Sequence, residues 1–260
     1  MTKFYTLYSS SSGNCTLISD GETNILIDAG VSASKICAAL NSVGILPEEI
    51  DGILVTHEHS DHISGIRVFS RKYNTSVYAN AGTMEQVLKS APDISPSNVN
   101  IITNSTPFQV RSMKIRSFET PHDSVASVGY IIESEGEKYG VATDTGTITK
   151  AMLSALAGCE AVLIEANHDE KMLADGPYPY PLKKRIFSDK GHLPNPKCAW
   201  LATQLAIWGT KRIALGHLSE HNNTSEKAYA CVKAMLEENG FKVGTDVIMK
   251  VAAKDETCII

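Results

Sequence analysis

The stretch His57-Glu58-His59-Ser60-Asp61-His62 decides how this chain is interpreted, because it places four metal-binding side chains within six residues. It follows the apolar run Ile53-Leu54-Val55, which is typical of a buried strand. Imidazoles and carboxylates crowded at a strand end repel one another when charged and cost free energy when buried without partners. Bound cations remove both problems, since neutral imidazole and carboxylate are ordinary ligands of zinc and similar metals. The stretch therefore predicts a metal site, and the alternative is a histidine-rich solvated loop.

Three further ligand-type residues occur shortly after predicted apolar strands. They are His122 after Met113–Phe118, Asp144 after Tyr139–Ala142, and His217 after Ile213–Leu215. Loops converge at strand ends, so remote ligands of one metal site are expected there. Each residue alone could be an ordinary polar residue at a strand end. Together with the histidine-rich stretch, they indicate a metal centre assembled from distant parts of the chain.

The composition is that of a folded enzyme-sized chain. Of its 260 residues, 43% are hydrophobic and 20% are charged, which excludes global disorder. A net charge of −5 argues against nonspecific coating of nucleic acid, although a local basic groove stays possible. The six cysteines form no C-x-x-C pair and are expected to be free thiols in a reducing cytosol. Without a signal-like start or a run of about 20 apolar residues, a cytoplasmic location away from membranes is expected.

The predicted strands fall into two groups, and each group is closed by helices. The simplest layered arrangement is one domain over residues 1–260, with two mixed sheets and outer helices. One helix is predicted over residues 63–73. Residues 168–196 are predicted to form a long loop with at most a short helix, because five prolines interrupt them.

The order H-x-H-x-D-H, lone His, lone Asp, lone His resembles the metallo-β-lactamase superfamily along essentially the whole chain. The resemblance implies an α/β fold, a four-layer αββα sandwich, with the site at one edge of the sheets. It also implies two divalent ions: His57, His59 and His122 would hold the first, Asp61, His62 and His217 the second, and Asp144 would bridge them. In such a site a bridging water becomes a hydroxide nucleophile near neutral pH. Zn or Mn is expected, with Fe or Ni also possible.

Four shorter segments resemble a narrower group, the YycJ/WalJ proteins. They are Ser9 to Asn14, Glu165 to Asp169, Gly191 to Leu193 and Gly216 to Ser219. That group is bacterial, cytoplasmic and described as exonuclease-like, so the resemblance implies phosphodiester hydrolysis of DNA, from a 5′ end. Position 194 departs from the pattern, because Pro194 stands where a serine is expected.

The candidate catalytic residues are Asp61 and His192. His192 lies in a Gly-flanked loop just before a predicted helix, where it could contact a phosphate or protonate the leaving group. The alternative is a helix-start histidine that bonds only to backbone. His168 is equally open between two roles: contact with a metal ligand or the substrate, or packing of the loop.

Further substrate contacts are predicted in two segments. Ser12 and Asn14 lie in a Ser-rich loop that could offer hydroxyls and N–H groups to an anion, or could form only a hairpin turn. Lys183 and Arg185, with Lys184 between them, lie near tyrosines in the Pro-rich segment. Basic and aromatic side chains together can follow a nucleic-acid strand, although a basic run is more often a solvated face.

Four function classes follow. The first is a two-metal phosphodiesterase acting on DNA. The second is a small-molecule hydrolase of the same fold, such as a thioesterase or cyclic-phosphate diesterase. The third is an iron redox enzyme and the fourth a metal-free scaffold. The resemblance favours hydrolysis over the diiron redox relatives, which carry a Glu-containing variant of the motif, and the intact ligand set argues against a scaffold.

Overall fold

The computed structural model describes residues 1–260, and two seven-stranded sheets form its centre. The first sheet contains β1 Lys3–Ser10, β2 Gly13–Ser19, β3 Asn24–Ile27, β4 Gly52–Leu54, β5 Val77–Asn80, β6 Val99–Ile102 and β14 Cys258–Ile259, in the spatial order β14-β1-β2-β3-β4-β5-β6. The second contains β7 Phe108–Val110, β8 Met113–Glu119, β9 Val128–Ser134, β10 Glu137–Ala142, β11 Ala161–Glu165, β12 Arg212–Gly216 and β13 Ile248–Val251, in the order β13-β12-β11-β10-β9-β8-β7.

Nine α-helices accompany the sheets. They are α1 Ala33–Ser42, α2 Ser60–Ile63, α3 Ile66–Tyr73, α4 Ala81–Ser90, α5 Lys150–Leu156, α6 Glu170–Asp175, α7 Tyr180–Ile186, α8 Asn195–Ile207 and α9 Ser225–Glu238. Helices α1, α3 and α4 share an apolar core with the first sheet, while α5, α8 and α9 share one with the second. A third core, which includes Phe4, Tyr130 and Tyr139, lies between the sheets. The predicted αββα sandwich is confirmed. None of the helices is both long and apolar enough to span a bilayer.

Two predictions about helices were wrong. The single helix over residues 63–73 is divided into α2 and α3, which meet at Gly65. A side chain there would collide with Val31 O, only 2.1 Å from the position of a Cβ atom. The predicted loop over residues 168–196 contains α6 and α7. Pro179 caps α7 and Pro181 lies in its first turn, where a helix needs no N–H donor.

Both sheets bring their parallel strands to the same edge of the molecule. Strands β3 to β6 run parallel in the first sheet, and β10 to β13 run parallel in the second. Asp28, Asp144 and His217 follow three of these strands with left-handed backbone angles, φ of 62°, 54° and 54°. This conformation, which is uncommon outside glycine, turns the chain sharply at the strand end. The turns direct ligand-type side chains from both sheets toward one point.

Candidate metal centre

The histidine-rich stretch forms a tight loop that continues into helix α2. His57 follows β4, His59 caps the start of α2, and Asp61 and His62 lie in its turn. The amide of His62 donates to His59 O at 2.9 Å, which closes the turn. Gly30 allows this loop to lie against the first sheet, because a Cβ atom there would be 1.6 Å from Asp61 O. Local backbone geometry therefore presents four ligand-type side chains on one side.

The first group of ligand-type atoms comprises three imidazoles. His59 Nδ1 lies 3.0 Å from His57 Nε2 and 3.3 Å from His122 Nε2. Burial lowers the pKa of His57 well below its usual value and also lowers that of His122. Both rings are therefore neutral at physiological pH, which is the form that binds a metal. The structure thus brings together the three histidines that the resemblance assigned to one ion.

The second group lies beside the first, with Asp144 between them. Asp61 Oδ2 is 3.4 Å from His62 Nε2 and 3.5 Å from His217 Nε2. Asp144 Oδ2 is 3.2 Å from His62 Nε2, and its Oδ1 is 3.3 Å from His217 Nε2 and 3.7 Å from His122 Nε2. Asp144 is therefore the one carboxylate that reaches both groups, as a bridging ligand must.

The donor set fits divalent cations. Asp144 Oδ2 is buried and has no hydrogen-bond donor. Burial alone would raise the pKa of Asp144, but the neighbouring rings of His217 and His62 lower it well below its usual value. Ligands ~2.1 Å from a tetrahedral ion lie ~3.4 Å from one another, and the pairs of ligand atoms described above are 3.0–3.7 Å apart. Within each group all such atoms lie within 4.8 Å of one another. A buried anion without a donor, ringed by imidazole nitrogens at this spacing, suits a metal.

Hydrogen bonds fix the orientation of the histidines. The second ring nitrogen of each buried histidine has its own partner: His57 Nδ1 pairs with Thr56 Oγ1 at 3.0 Å, His62 Nδ1 with Asp28 Oδ2 at 2.7 Å, His122 Nδ1 with Gly191 O at 3.0 Å, and His217 Nδ1 with Glu165 Oε1 at 3.1 Å. Occupying Nδ1 leaves Nε2 as the ligand atom and holds the ring in place. The four rings are therefore set before any ion binds.

His192 lies at the edge of this cluster. Its Nδ1 donates to Glu165 Oε1 at 2.7 Å, and its ring stacks on that of His217 with centroids 5.2 Å apart. Because Glu165 engages Nδ1, Nε2 is the nitrogen left for a substrate. Burial would raise the pKa of Glu165, but His192 and the hydrogen bonds it and His217 donate lower it to about 2. Glu165 is thus ionised near neutral pH, and it accepts hydrogen bonds from the imidazoles of His192 and His217.

A cleft of about 220 Å³ opens over the cluster. Its walls include His59, Asp61, Asp144, His192 and His217, and only three of its twelve lining residues are hydrophobic. A mostly polar cleft over a cation site suits a charged, hydrophilic substrate better than an apolar one.

Comparison with known proteins agrees with this geometry. Residues 23–218 match the family model described as the beta-lactamase superfamily domain. The chain belongs to the metallo-β-lactamase superfamily. It is 37% identical over 246 residues to exodeoxyribonuclease WalJ of Streptococcus pneumoniae serotype 2, covering 94% of this chain and 91% of that protein. It is 36% identical over 241 residues to exodeoxyribonuclease YycJ of Bacillus anthracis, covering 93% and 91%.

Within the metallo-β-lactamase superfamily, the chain therefore belongs to the WalJ/YycJ group, as the sequence motifs predicted. The crystal structure of the metallo-β-lactamase fold protein YhfI from Bacillus subtilis superposes with a TM-score of 0.75, at 16% sequence identity and 99% coverage of both chains. At that identity the likeness supports the fold alone.

The two basic residues predicted to contact the substrate lie on different faces of α7. Arg185 lines the cleft, and its guanidinium pairs with Asp123. Lys183 lies on the other face of α7, where Nζ donates to Ala174 O at 2.6 Å. These two basic residues therefore do not face the same space.

The Ser-rich loop reaches the cleft through Ser11, and not through the predicted substrate contacts Ser12 and Asn14. Ser12 Oγ donates to Glu220 Oε1 at 2.8 Å, and it is Ser11 that lines the cleft. Asn14 is buried beneath the cluster, with Nδ2 3.1 Å from His62 Nε2 and 2.9 Å from Ser10 O. Asn14 is thus placed to support the ligands from below.

His168 is fully buried and does not line the cleft. Its Nδ1 lies 3.2 Å from Asn167 Oδ1, and its ring packs edge-on against Phe187 with centroids 5.4 Å apart. This placement does not support direct substrate contact; His168 packs in the loop and, through Asn167, whose Nδ2 donates to His217 O at 3.0 Å, lies behind a candidate ligand.

Two carboxylates of the site were missed by sequence reasoning. Asp28 accepts hydrogen bonds from the Thr56 amide and hydroxyl, both at 2.8 Å, and thereby also holds His62. Glu165 accepts from the Thr145 amide at 2.8 Å in addition to its two histidines. Their positions at strand ends could have identified them, since Asp28 directly follows the apolar strand β3 and Glu165 ends the apolar strand β11.

Proposed function

We propose that this protein is a metal-dependent exodeoxyribonuclease, which hydrolyses phosphodiester bonds at the ends of DNA. One observation carries the proposal: all seven ligand-type side chains converge at one cleft in a chain 37% identical to a protein named exodeoxyribonuclease WalJ. The polar lining of the cleft supports a phosphodiester substrate. The free thiols of all six cysteines and a DNA substrate support a cytoplasmic location.

The proposed ion sites follow the two groups of side chains. His57, His59 and His122 would hold one divalent ion, Asp61, His62 and His217 the other, and Asp144 both, with Zn or Mn as the expected metals. Bound there, the ions would supply Lewis acidity and would activate water as a nucleophile near neutral pH.

Asp61 and Asp144 couple substrate binding to ion occupancy. Both carboxylates line the cleft, and Glu165 lies behind His192 and His217. Such a concentration of anionic groups repels a phosphodiester unless divalent cations neutralise it. We therefore expect a phosphodiester to bind in the cleft more tightly when divalent ions occupy the cluster than when they are absent.

Arg185 would bind the phosphate in the cleft, and His192 would protonate the leaving group. Arg185 donates to Asp123 through Nε and Nη2, so Nη1 is free to bind a phosphate oxygen. His192, held through Nδ1 by Glu165, presents Nε2 to the cleft. From there it can protonate the leaving 3′ or 5′ oxygen, a step that general acids accelerate about 10²–10⁴-fold.

The direct test is digestion of end-labelled DNA by the purified protein supplied with Mn²⁺ or Zn²⁺. We expect stepwise release of mononucleotides from one end, and loss of that release after chelation. Substrates labelled at either end identify the direction. Hydrolysis of thioesters or cyclic phosphates without any release of nucleotides from DNA would contradict the proposal and favour the small-molecule alternative.

A further inference from the structure

Helix α7 presents two faces with different surroundings. Leu182, Arg185 and Ile186 line the cleft over the metal cluster. Tyr180, Lys183, Lys184 and Phe187 line a separate shallow depression on the outer side. Residues spaced by three, four and seven positions share one face of a helix, which accounts for the separation. We call these four residues the outer face of α7.

The outer face combines exposed aromatic rings with unpaired positive charge. Tyr180 is 77% exposed and Phe187 is 45% exposed, the highest values among the aromatic residues of the chain. Neither lysine forms an ion pair with a carboxylate, and the only side-chain bond is from Lys183 to Ala174 O. Single exposed apolar residues are ordinary, but two rings in one depression beside two ammonium groups without carboxylate partners form a surface suited to a ligand.

The local charge is opposite to that of the whole chain. Residues 178–190 contain four basic side chains and one acidic side chain, whereas the chain has a net charge of −5. Positive charge is therefore concentrated beside the cleft. A polyanion approaching the protein is therefore attracted more strongly to this segment than the net charge of the chain would suggest.

We propose that the outer face of α7 binds the unpaired part of a DNA strand whose end lies in the cleft. Tyr180 and Phe187 would stack on bases, while Lys183 and Lys184 neutralise phosphates. Stacking requires bases that are not covered by neighbours in a duplex, so the partner is single-stranded DNA. The inference rests on the proposed exonuclease function and adds to it a preferred substrate form.

The position of α7 sets the length of strand required. A helix with its side chains is about 10–12 Å across, so a strand whose end lies in the cleft must extend by at least that distance to reach the outer face. The strand must therefore continue beyond Arg185 by more than one nucleotide. Shorter substrates should not reach this surface, so its variants should not affect their binding.

The test compares binding and turnover for one double variant, Tyr180→Ala with Phe187→Ala, in the metal-loaded protein. We expect its Kd for a nuclease-resistant phosphorothioate dT20 to rise about tenfold or more, because each stacked base contributes substantially. Its turnover of bis(p-nitrophenyl) phosphate should match that of the wild type. Tyr180→Phe should retain tight binding, because the ring remains. Trp208→Ala, which removes another exposed ring beyond the end of α8, is the matched control.

Lys184→Ala tests the electrostatic part separately. Loss of one phosphate contact should reduce the log–log salt slope for dT20 by about 0.7, the value for single strands. An unchanged Kd and salt slope in these variants, with DNA digestion by the wild type intact, would overturn this inference alone. Equal losses on blunt duplex and dT20 would overturn the single-strand preference. If the wild type neither binds nor digests any DNA, the proposed function itself fails.

Discussion

At the scale of single residues, Asp144 is the side chain on which the two proposed ion sites depend. It lies within 3.7 Å of imidazole nitrogens from both groups, and one of its oxygens has no protein donor. Two cations a few ångströms apart repel strongly unless an anion lies between them. The bridging carboxylate is therefore expected to contribute to both sites at once.

Asp144→Ala should consequently weaken both sites and abolish nuclease activity. Metal analysis of the purified variant is expected to give well below one ion per chain, against about two for the wild type. Asp189→Ala, which removes an exposed carboxylate in the segment after α7, should leave the metal content unchanged. A variant that keeps two ions and full activity would refute the two-metal assignment.

His192→Ala should retain both ions but lose turnover in a way that depends on the leaving group. On DNA we expect a loss of about 10²–10⁴-fold, because the departing alkoxide needs a proton. On an aryl phosphodiester, whose leaving group departs without one, the loss should be much smaller.

His221→Ala provides the matched control for that measurement, since His221 is exposed at the rim, against Tyr178. Equal losses on the two substrates would indicate phosphate binding by His192 instead of proton donation. Loss of metal from the His192 variant would mean that His192 is itself a ligand.

The sequence predicted the ligand-type residues better than their partners. All seven candidate ligands converge, because the histidine-rich stretch and the strand-end positions are visible in the sequence. Asp28 and Glu165 were missed, since a carboxylate that orients a histidine needs no fixed spacing from it. Their roles depend on burial and on a contact 34 or 52 residues away along the chain. Metal binding by the seven stays a prediction.

At the scale of elements, prediction failed where proline was interpreted as a breaker. In α7, Pro179 and Pro181 occupy the cap and first turn, positions that favour helix initiation. Strand β14 was also missed, because two residues carry no periodic signal and it forms only by pairing with β1. Strands with clear apolar runs were predicted to within one residue at each end, as Met113–Phe118 for β8 and Ile213–Leu215 for β12 show.

Asp20 provides a stability test at this scale, because it links the β2–β3 turn to the second sheet. It accepts from the Thr23 amide at 2.7 Å, Ser112 Oγ at 2.7 Å and Ser134 Oγ at 3.1 Å. Asp20→Ala should lower the free energy of unfolding by about 1–2 kcal/mol at pH 7, measured by urea titration. Glu22→Ala, in the same turn and exposed, should change it little.

The Asp20 contribution should also depend on pH. Partial burial would raise the pKa of Asp20, but the hydrogen bonds from Ser112 and Thr23 lower it. A lowered pKa stabilises the folded state above the unfolded value of about 3.9, and the effect is lost as pH falls through the folded pKa. The difference between wild type and Asp20→Ala should therefore shrink in acid, and a difference that grows would contradict this account.

At the scale of the whole molecule, the ions would hold the two halves of the sandwich together. His57, His59, Asp61 and His62 come from the first sheet and its loop, whereas His122, Asp144 and His217 follow strands of the second. Ligands that bind only the folded state stabilise it by mass action, by about 2.7 kcal/mol at a concentration 100 times the Kd. Metal loading should thus affect folding as well as catalysis.

Chelation should therefore lower the melting temperature, and added Mn²⁺ or Zn²⁺ should restore it. Calorimetry of the wild type with and without EDTA measures the effect, and Asp144→Ala, which cannot hold the ions, should be insensitive to both additions. An identical melting temperature in all conditions would indicate that the ions do not join the halves.

The left-handed backbone at Asp144 has an evolutionary consequence. A φ of 54° suits glycine better than aspartate, and the buried carboxylate adds a cost when no cation is present. Aspartate codons become glycine codons by a single base change. Lineages selected for a stable protein but released from selection on catalysis should therefore drift to glycine at this position. Aspartate retained at the equivalent position of a descendant would then indicate continued selection for catalysis.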